Sequence, residues 1–417
     1  MPTPVTAHIN PVSGKGVVLE HWQNWGGPDT LGPVGKVFGM FQTDHPSVGL
    51  NAQGYDASKF LTDVASGTPP DVVTIRYVAP NAQKGLYQAL DDRIAKSTII
   101  KRSDFADAQF QQVQWKGKTW GIPAMENGPR SAMILDVQLF QQAGLDPQKP
   151  PTTWQDVSTM SEQLTKLQGN DITQLGFDPL SSMGAEGFLD VYGEGFGVEW
   201  YDYATDTLHL NAQGMVDAVD WIAQEYKQID PTRFTAFRKV YGEWDGKTSG
   251  FDNQKEAMII QGYWTANGVK KYGKGFPIAP AFFPTNIGKK LMLTGGWSLQ
   301  VPTGSKASDQ AFSWIEFLTT TPANQLLLDE TGLMLYTKKF AKEGKFDQIP
   351  GLSWFLDAVG QADKNINIPN DPIYDQIDSN YRAGLVKVRD SKTTSKAMLD
   401  DLQSRMQALL NQTLGKS

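Results

Sequence analysis

The chain has 417 residues, of which 20% are charged and 40% hydrophobic, and its formal net charge is −7. That length suits two or three domains with cores of their own, and the acidic balance lacks the basic face of a nucleic-acid binder, so no nucleic-acid partner is expected. The absence of cysteine removes disulfides, thiolate metal sites and cysteine nucleophiles together.

Met1–Lys15 is rich in Pro, Thr and Ser and lacks the apolar core of a signal peptide, so any export leader is expected to lie outside the given residues. Beyond it, short apolar runs alternate with amphipathic stretches, the pattern of an α/β protein. Gly16–Glu20 reads as a first strand, followed by a loop over His21–Asp29, HWQNWGGPD, where Gly and Pro stop regular structure. Asp71–Tyr77 is a second strand. Trp120–Ile122 and Ser131–Leu135 read as strands flanking a loop over Pro123–Arg130. Thr153 and Asp156 have capping-box spacing and open a helix with Trp154, Val157, Leu164 and Leu167 on one face. Gly193-Glu-Gly-Phe-Gly197 reads as a flexible turn rather than a dinucleotide fingerprint. Ala257–Gln261 and Trp297–Val301 are later strands. Ala311, Phe312, Ile315 and Leu318 repeat at helical spacing, Trp314 and Phe317 widen that face, and Pro322 restarts a helix. A last helix over Ala397–Leu410 carries Met398, Leu402, Met406 and Leu409 on one stripe. No apolar run approaches the roughly 18 residues of a membrane span.

A search for catalytic motifs finds little. The chain has no GxxxxGK[ST] phosphate loop, no HExxH and no GxSxG elbow, and its histidines (His8, His21, His45, His209) are scattered. No cofactor and no metal is expected, and the chain reads as a non-enzyme. The alternative, a carbohydrate-active enzyme, needs only two carboxylates, and Glu126 is the acid to watch. Its plainer reading is a carboxylate that hydrogen-bonds hydroxyls or caps a turn.

What remains is a set of loops at strand ends that combine aromatic, amide and charged residues. They hold Trp22, Asn24 and Trp25; Arg76 and Tyr77; Glu126, Asn127 and Arg130; Tyr263 and Trp264; and Gly295-Gly296-Trp297. In open α/β sheets, ligands sit beyond the carboxyl ends of strands. Indole and phenol rings suit the apolar C–H face of a pyranose, while Asn, Glu and Arg suit its rim of hydroxyls.

Several motifs in order carry a resemblance. They are Lys59–Asp71 (KFLTDVASGTPPD), Leu86–Asp91, Gly117–Pro123 (GKTWGIP), Phe140–Trp154 (FQQAGLDPQKPPTTW), Phe251–Trp264 (FDNQKEAMIIQGYW) and Gly295-Gly296-Trp297. Together they resemble the extracellular solute-binding proteins of carbohydrate ABC importers, the class that includes maltose-binding proteins. The resemblance implies a two-lobed α/β periplasmic-binding-protein fold with hinged lobes and a central ligand cleft. Lobe 1 would comprise residues 1–124 and 279–316, and lobe 2 residues 125–278 and 317–417, with crossings near Pro123–Met125, Ile278–Pro280 and Trp314–Thr320. It implies a carbohydrate ligand, an ABC permease as membrane partner, a monomer, and an extracytoplasmic place, in the periplasm or anchored at the cell surface. Trp22, Asn24, Trp25, Arg76, Tyr77, Glu126, Asn127 and Trp264 correspond to sugar-contacting positions. Glu186, Trp244, Trp297 and Tyr374 fall where further contacts come. The first loop departs from the maltose binders, which are rich in lysine and aspartate there. A polyol or a glycerol phosphodiester on the same fold stays open, through Arg76 and Arg130.

Overall fold

The computed structural model describes residues 6–24, 27–183, 188–242, 246–346, 349, 351–367 and 370–416. The chain forms two compact units. Unit 1 comprises residues 1–128, 294–345 and 370–372, and unit 2 comprises 129–293, 346–369 and 373–417. The principal strands are β1 (Thr6–Ile9), β2 (Val17–Gln23), β3 (Val48–Gly54), β4 (Val72–Ile75), β5 (Ile122–Asp136), β6 (Met258–Gln261), β7 (Ile278–Phe282), β8 (Leu291–Gln300) and β9 (Lys364–Ile366). The chain leaves unit 1 within β5 and re-enters it within β8.

In unit 1 the strand order is β1-β3-β2-β4-β8, with β3, β2 and β4 parallel and β1 and β8 antiparallel to their neighbours. The first strand runs three residues further than the sequence suggests, because its alternation continues: Leu19, His21 and Gln23 share one face and Trp22 takes the other. Leu19 packs in the main core with Phe38, Phe41 and Trp314, whereas Trp22 joins a satellite cluster with Phe60, Val73 and Tyr87. The Trp314 ring meets Phe38 and Phe41 edge-on at 5.0 and 5.4 Å between centroids. That contact holds the helix Ser308–Leu318 in unit 1, and the helix Thr321–Thr331, opened by Pro322, stays there too. Along the chain the compact units change at 128/129, 293/294, 345/346, 369/370 and 372/373.

A polar line runs through this core. Trp314 Nε1 donates to His21 Nδ1 at 3.3 Å, and His21 Nε2 lies 2.9 Å from Thr74 Oγ1. Thr74 Oγ1 in turn donates to Met125 Sδ at 3.8 Å. An indole N–H only donates, so His21 Nδ1 must accept, and the ring proton sits on Nε2, directed at Thr74. Burial pushes the His21 pKa down to about 3, which keeps the ring neutral. The line ends on Met125, whose φ of 62° is rare for a residue with a side chain and kinks an otherwise extended strand.

Unit 2 centres on β5, which pairs antiparallel with β6 on one side and β7 on the other. The sequence suggests a loop over Pro123–Arg130; the structure instead makes Ile122–Asp136 one continuous, buried strand. Pro123 is the second residue of that strand, where a missing N–H is tolerated. The Thr153–Asp156 capping box forms, but its helix stops at Leu164. Leu167 therefore lies in the short strand Lys166–Gln168, 48% exposed. Gly193 and Gly195 are helical rather than a flexible turn. A Cβ on Gly195 would stand 2.8 Å from Trp154 Nε1, so the glycine permits close approach of the helix Phe188–Gly195 to Trp154. No helix among the described residues is long and apolar enough to cross a membrane.

Candidate functional site

In unit 1, Arg76 and Tyr77 follow β4 directly, and β8 brings Trp297 beside them. The Arg76 guanidinium lies 4.7 Å from the centroid of the Trp297 ring and 5.8 Å from that of Tyr77. This is cation–π range, and it leaves Arg76 buried against two aromatic residues. The backbone under Trp297 is held by Gln112, whose Nε2 donates to Gly296 O at 2.6 Å and whose Oε1 accepts from Gly296 N at 2.9 Å. A Cβ on Gly295 would come within 2.7 Å of that same Oε1, and Gly296 adopts φ 148°, so both glycines of the Gly-Gly-Trp run are required.

Asn127 is buried and its amide is engaged within unit 1. Its Nδ2 donates to Trp297 O at 2.9 Å and its Oδ1 accepts from Gln109 Nε2 at 3.0 Å. Gln109 Nε2 also reaches the carbonyls of Asn127 and Tyr336. Glu126 precedes it, buried within β5 rather than on a loop. Trp22 is a strand residue, 3% exposed, with Lys59 Nζ 4.4 Å above its ring. Asn24 is exposed just past β2. The structure thus gathers Arg76, Tyr77, Asn127 and Trp297, and sets Trp22 into the satellite core.

In unit 2, Arg130 and Trp264 pair with the guanidinium 5.0 Å from the indole centroid, and Tyr263 meets the same indole edge-on at 5.4 Å. A Cβ on Gly262 would fall within the Trp264 ring, which explains the glycine of the Gly-Tyr-Trp run. Tyr374 is buried apart from this pair; its hydroxyl donates to Asp190 Oδ2 at 3.1 Å, and Trp200 Nε1 donates to Asp190 Oδ1 at 2.9 Å. Burial pushes the Asp190 carboxyl up to about 7 against the pull of those two donors, with Asp378 and Glu194 adding repulsion. Trp25, Glu186 and Trp244 lie outside the described residues.

Unit 2 also holds a buried ionic network. Arg238 donates to Asp178 Oδ2 at 2.9 Å and to both oxygens of Glu256 at 2.7 and 2.9 Å. Ser182 donates to Glu256, and Tyr226 donates to Asp178. Burial raises the Glu256 carboxyl, with Arg238 opposing. No group of three or more His, Asp and Glu among the described residues is placed to hold a metal ion.

Residues 36–352 match the family described as bacterial extracellular solute-binding protein. The chain belongs to this family. Among solved structures it is similar to CpMnBP1 with mannotriose bound, at 25% identity and a TM-score of 0.81, over 93% of this chain and 99% of that one. It is similar also to an ABC substrate-binding protein from Listeria monocytogenes in complex with cycloalternan, at 18% identity and a TM-score of 0.77, over 97% and 100% of the two chains. A third is an ABC transporter solute-binding protein from Thermotoga lettingae bound with α-D-tagatose, at 17% identity and a TM-score of 0.75, over 94% and 99%. These likenesses give the chain the two-lobed α/β fold of periplasmic sugar-binding proteins.

Some residues of consequence carry no sequence signal. Gln109 and Gln112 lie in or just past a short helix, and only their partners 18 and 184 residues away reveal that they position Asn127 and Trp297. Family membership makes the Gly-Gly-Trp and Gly-Tyr-Trp runs the better signal, since each holds an aromatic residue whose seat needs glycine.

Proposed function

We propose that this chain is the substrate-binding component of an ABC importer, capturing an oligosaccharide by closure of two lobes and delivering it to a membrane permease outside the cytoplasm. The observation that carries this reading is the likeness to CpMnBP1 with mannotriose bound over 93% of the chain, at 25% identity. The paired guanidinium and indole groups support it: each unit presents an aromatic ring beside an arginine, suited to a sugar's C–H face and its hydroxyl rim. Binding then proceeds without turnover. Ligand shifts an open-to-closed equilibrium through its better contacts in the closed form. The protein acts as a monomer, free in a periplasm or tethered at the cell surface.

The test is a melting-temperature screen with mannobiose, mannotriose, maltose and tagatose, alongside polyols and glycerol phosphodiesters, followed by calorimetry on each hit. A saccharide hit with micromolar affinity is expected. A shift with a phosphodiester and none with any saccharide would transfer the ligand class to the second reading, which Arg76 and Arg130 leave open. Turnover of an oligosaccharide that disappears in Glu126→Gln would replace binding by catalysis.

A further inference from the structure

The Arg238 guanidinium joins three segments of unit 2 that stand apart in sequence. Its side chain, 11% exposed, leaves the last turn of the helix Pro231–Val240. From there Nε donates to Asp178 Oδ2 at 2.9 Å, and Nη1 donates to Gly242 O at 3.1 Å. Nη1 and Nη2 also grip the two oxygens of Glu256, at 2.9 and 2.7 Å. Asp178 and Glu256 are both buried, so one cation faces two carboxyls away from water.

All three segments bear on β6. Glu256 stands two residues before that strand. Asp178 opens a tight turn, in which its carbonyl accepts from Ser182 N at 2.8 Å and its Oδ1 accepts from Leu180 N at 3.1 Å. The Ser182 carbonyl then accepts from Ile260 N at 2.8 Å, inside β6. Upstream of the turn, Ala257 N and Met258 N donate to Leu175 O and Gly176 O at 2.9 and 3.0 Å. Residues 175–182 thus lie along β6, with Arg238 bracing the turn against Glu256. Gly242 O accepts from Gly250 N at 3.2 Å, and a Cβ on Gly250 would stand 2.8 Å from Glu256 Oε2, so the brace has no slack on that side. Gln261 ends β6, and Gly262, Tyr263 and Trp264 follow at once.

We propose that Arg238 is a positioning residue: its fork fixes the exit of β6 against the turn Asp178–Ser182 and so sets the Trp264 ring for the ligand. The inference rests on the reading of the chain as a saccharide binder, and Arg238 itself touches no ligand in it. Buried ion networks are poor stabilisers, since well-packed apolar groups of the same volume usually serve as well. What a guanidinium supplies beyond charge is geometry, because its planar fork holds two acceptor groups at fixed relative directions. A binding side chain must be held to within about 0.5 Å by its supporting shell. The Trp264 ring follows β6 after only two residues, so the placement of the strand end passes directly to the ring.

The experiment is a double-mutant cycle of Arg238→Lys with Trp264→Ala in the full chain. It reads calorimetric affinity for mannotriose, or for the strongest saccharide hit of the melting screen, well below the melting temperature of every variant. Lysine keeps the charge and loses the fork. Arg238→Lys alone is expected to weaken binding about ten-fold, and to weaken it less than about two-fold in the Trp264→Ala background. A purely structural role would lower the melting temperature and leave affinity at the wild-type value, which overturns the inference. Equal losses in both backgrounds would show that Arg238 does not act through Trp264 and overturn it too. Trp264→Ala binding like wild type has the same consequence. Should Arg238→Lys fail to fold, Glu256→Gln, which keeps the shape and removes one charge, takes its place in the cycle with the same outcomes. If neither folds, the network is an indispensable part of the unit 2 core rather than a positioning device, and the inference falls. A wild type that no saccharide stabilises defeats the proposed function itself; a wild type that binds while the cycle shows no coupling defeats only this assignment.

Discussion

The two units solve the same problem with different chemistry. Unit 1 fixes its aromatic and arginine residues with neutral groups: Gln112 under Trp297, Gln109 on Asn127, and the Trp314–His21–Thr74–Met125 line. Unit 2 buries ionisable groups instead, in the Arg238–Asp178–Glu256 network and in Asp190 beneath Tyr374 and Trp200. The carboxyls raised by burial, Asp136, Asp190, Glu194, Glu225 and Glu256, all belong to unit 2. Neutral bonds hold geometry with little dependence on pH as long as His21 stays uncharged, whereas buried charges bind tightly to one another and make stability conditional. One fold thus carries two kinds of scaffold.

The largest effect expected from this contrast is at Arg238. Arg238→Met leaves Asp178 and Glu256 buried without their cation, and urea unfolding should lose about 3–5 kcal/mol from unit 2. A loss under 1 kcal/mol would mean the network is well hydrated and the contrast between units false. Next comes the aromatic pair of unit 2: Trp264→Ala should weaken saccharide binding by about 2 kcal/mol, roughly thirty-fold, with the far-ultraviolet circular dichroism unchanged. Equal affinity in calorimetry would remove Trp264 from the site.

Acidification should move the units in opposite directions. His21 drops from 6.5 to about 3 on folding, so unit 1 has its contribution in full above pH 6.5 and loses it as pH falls toward 3. Asp190 rises from 3.8 to about 7, so its contribution to unit 2 is full below pH 3.8 and is lost as pH rises through 7. Between pH 7 and pH 5, hydrogen exchange corrected for its intrinsic rate should show protection falling in β2 and β4 and rising in the helix Phe188–Gly195. Each change is on the order of 1–2 kcal/mol, and Asp190→Asn should abolish the second. Parallel changes in both units would erase the distinction. The smallest effect is expected at Gln112: Gln112→Leu should cost about 1 kcal/mol of stability at every pH and loosen Trp297. A pH-dependent cost there would show that unit 1 is not the neutral scaffold described.

Local chemistry was legible in the sequence, and long-range chemistry was not. Thr153 with Asp156 and Pro322 announced their helices because caps act within one turn. β4 and β6 were readable from their apolar runs, and the ordered motifs led to the family. The continuity of β5 stayed hidden, since Pro123 and Pro129 read as breakers until a strand interior forms around them. Gly193 and Gly195 looked like a turn, and only the Trp154 ring lying against that helix shows why they are small.

The polar line from Trp314 to Met125 ties together positions as far as 293 residues apart through protons that all point one way. An indole cannot accept, so the direction cannot be reversed by repairing one link. Positions 21, 74, 125 and 314 therefore form a single unit of inheritance. Among descendants of this chain, a change at one of the four should be found only in company with a change at another, a signature readable from sequences without any structure.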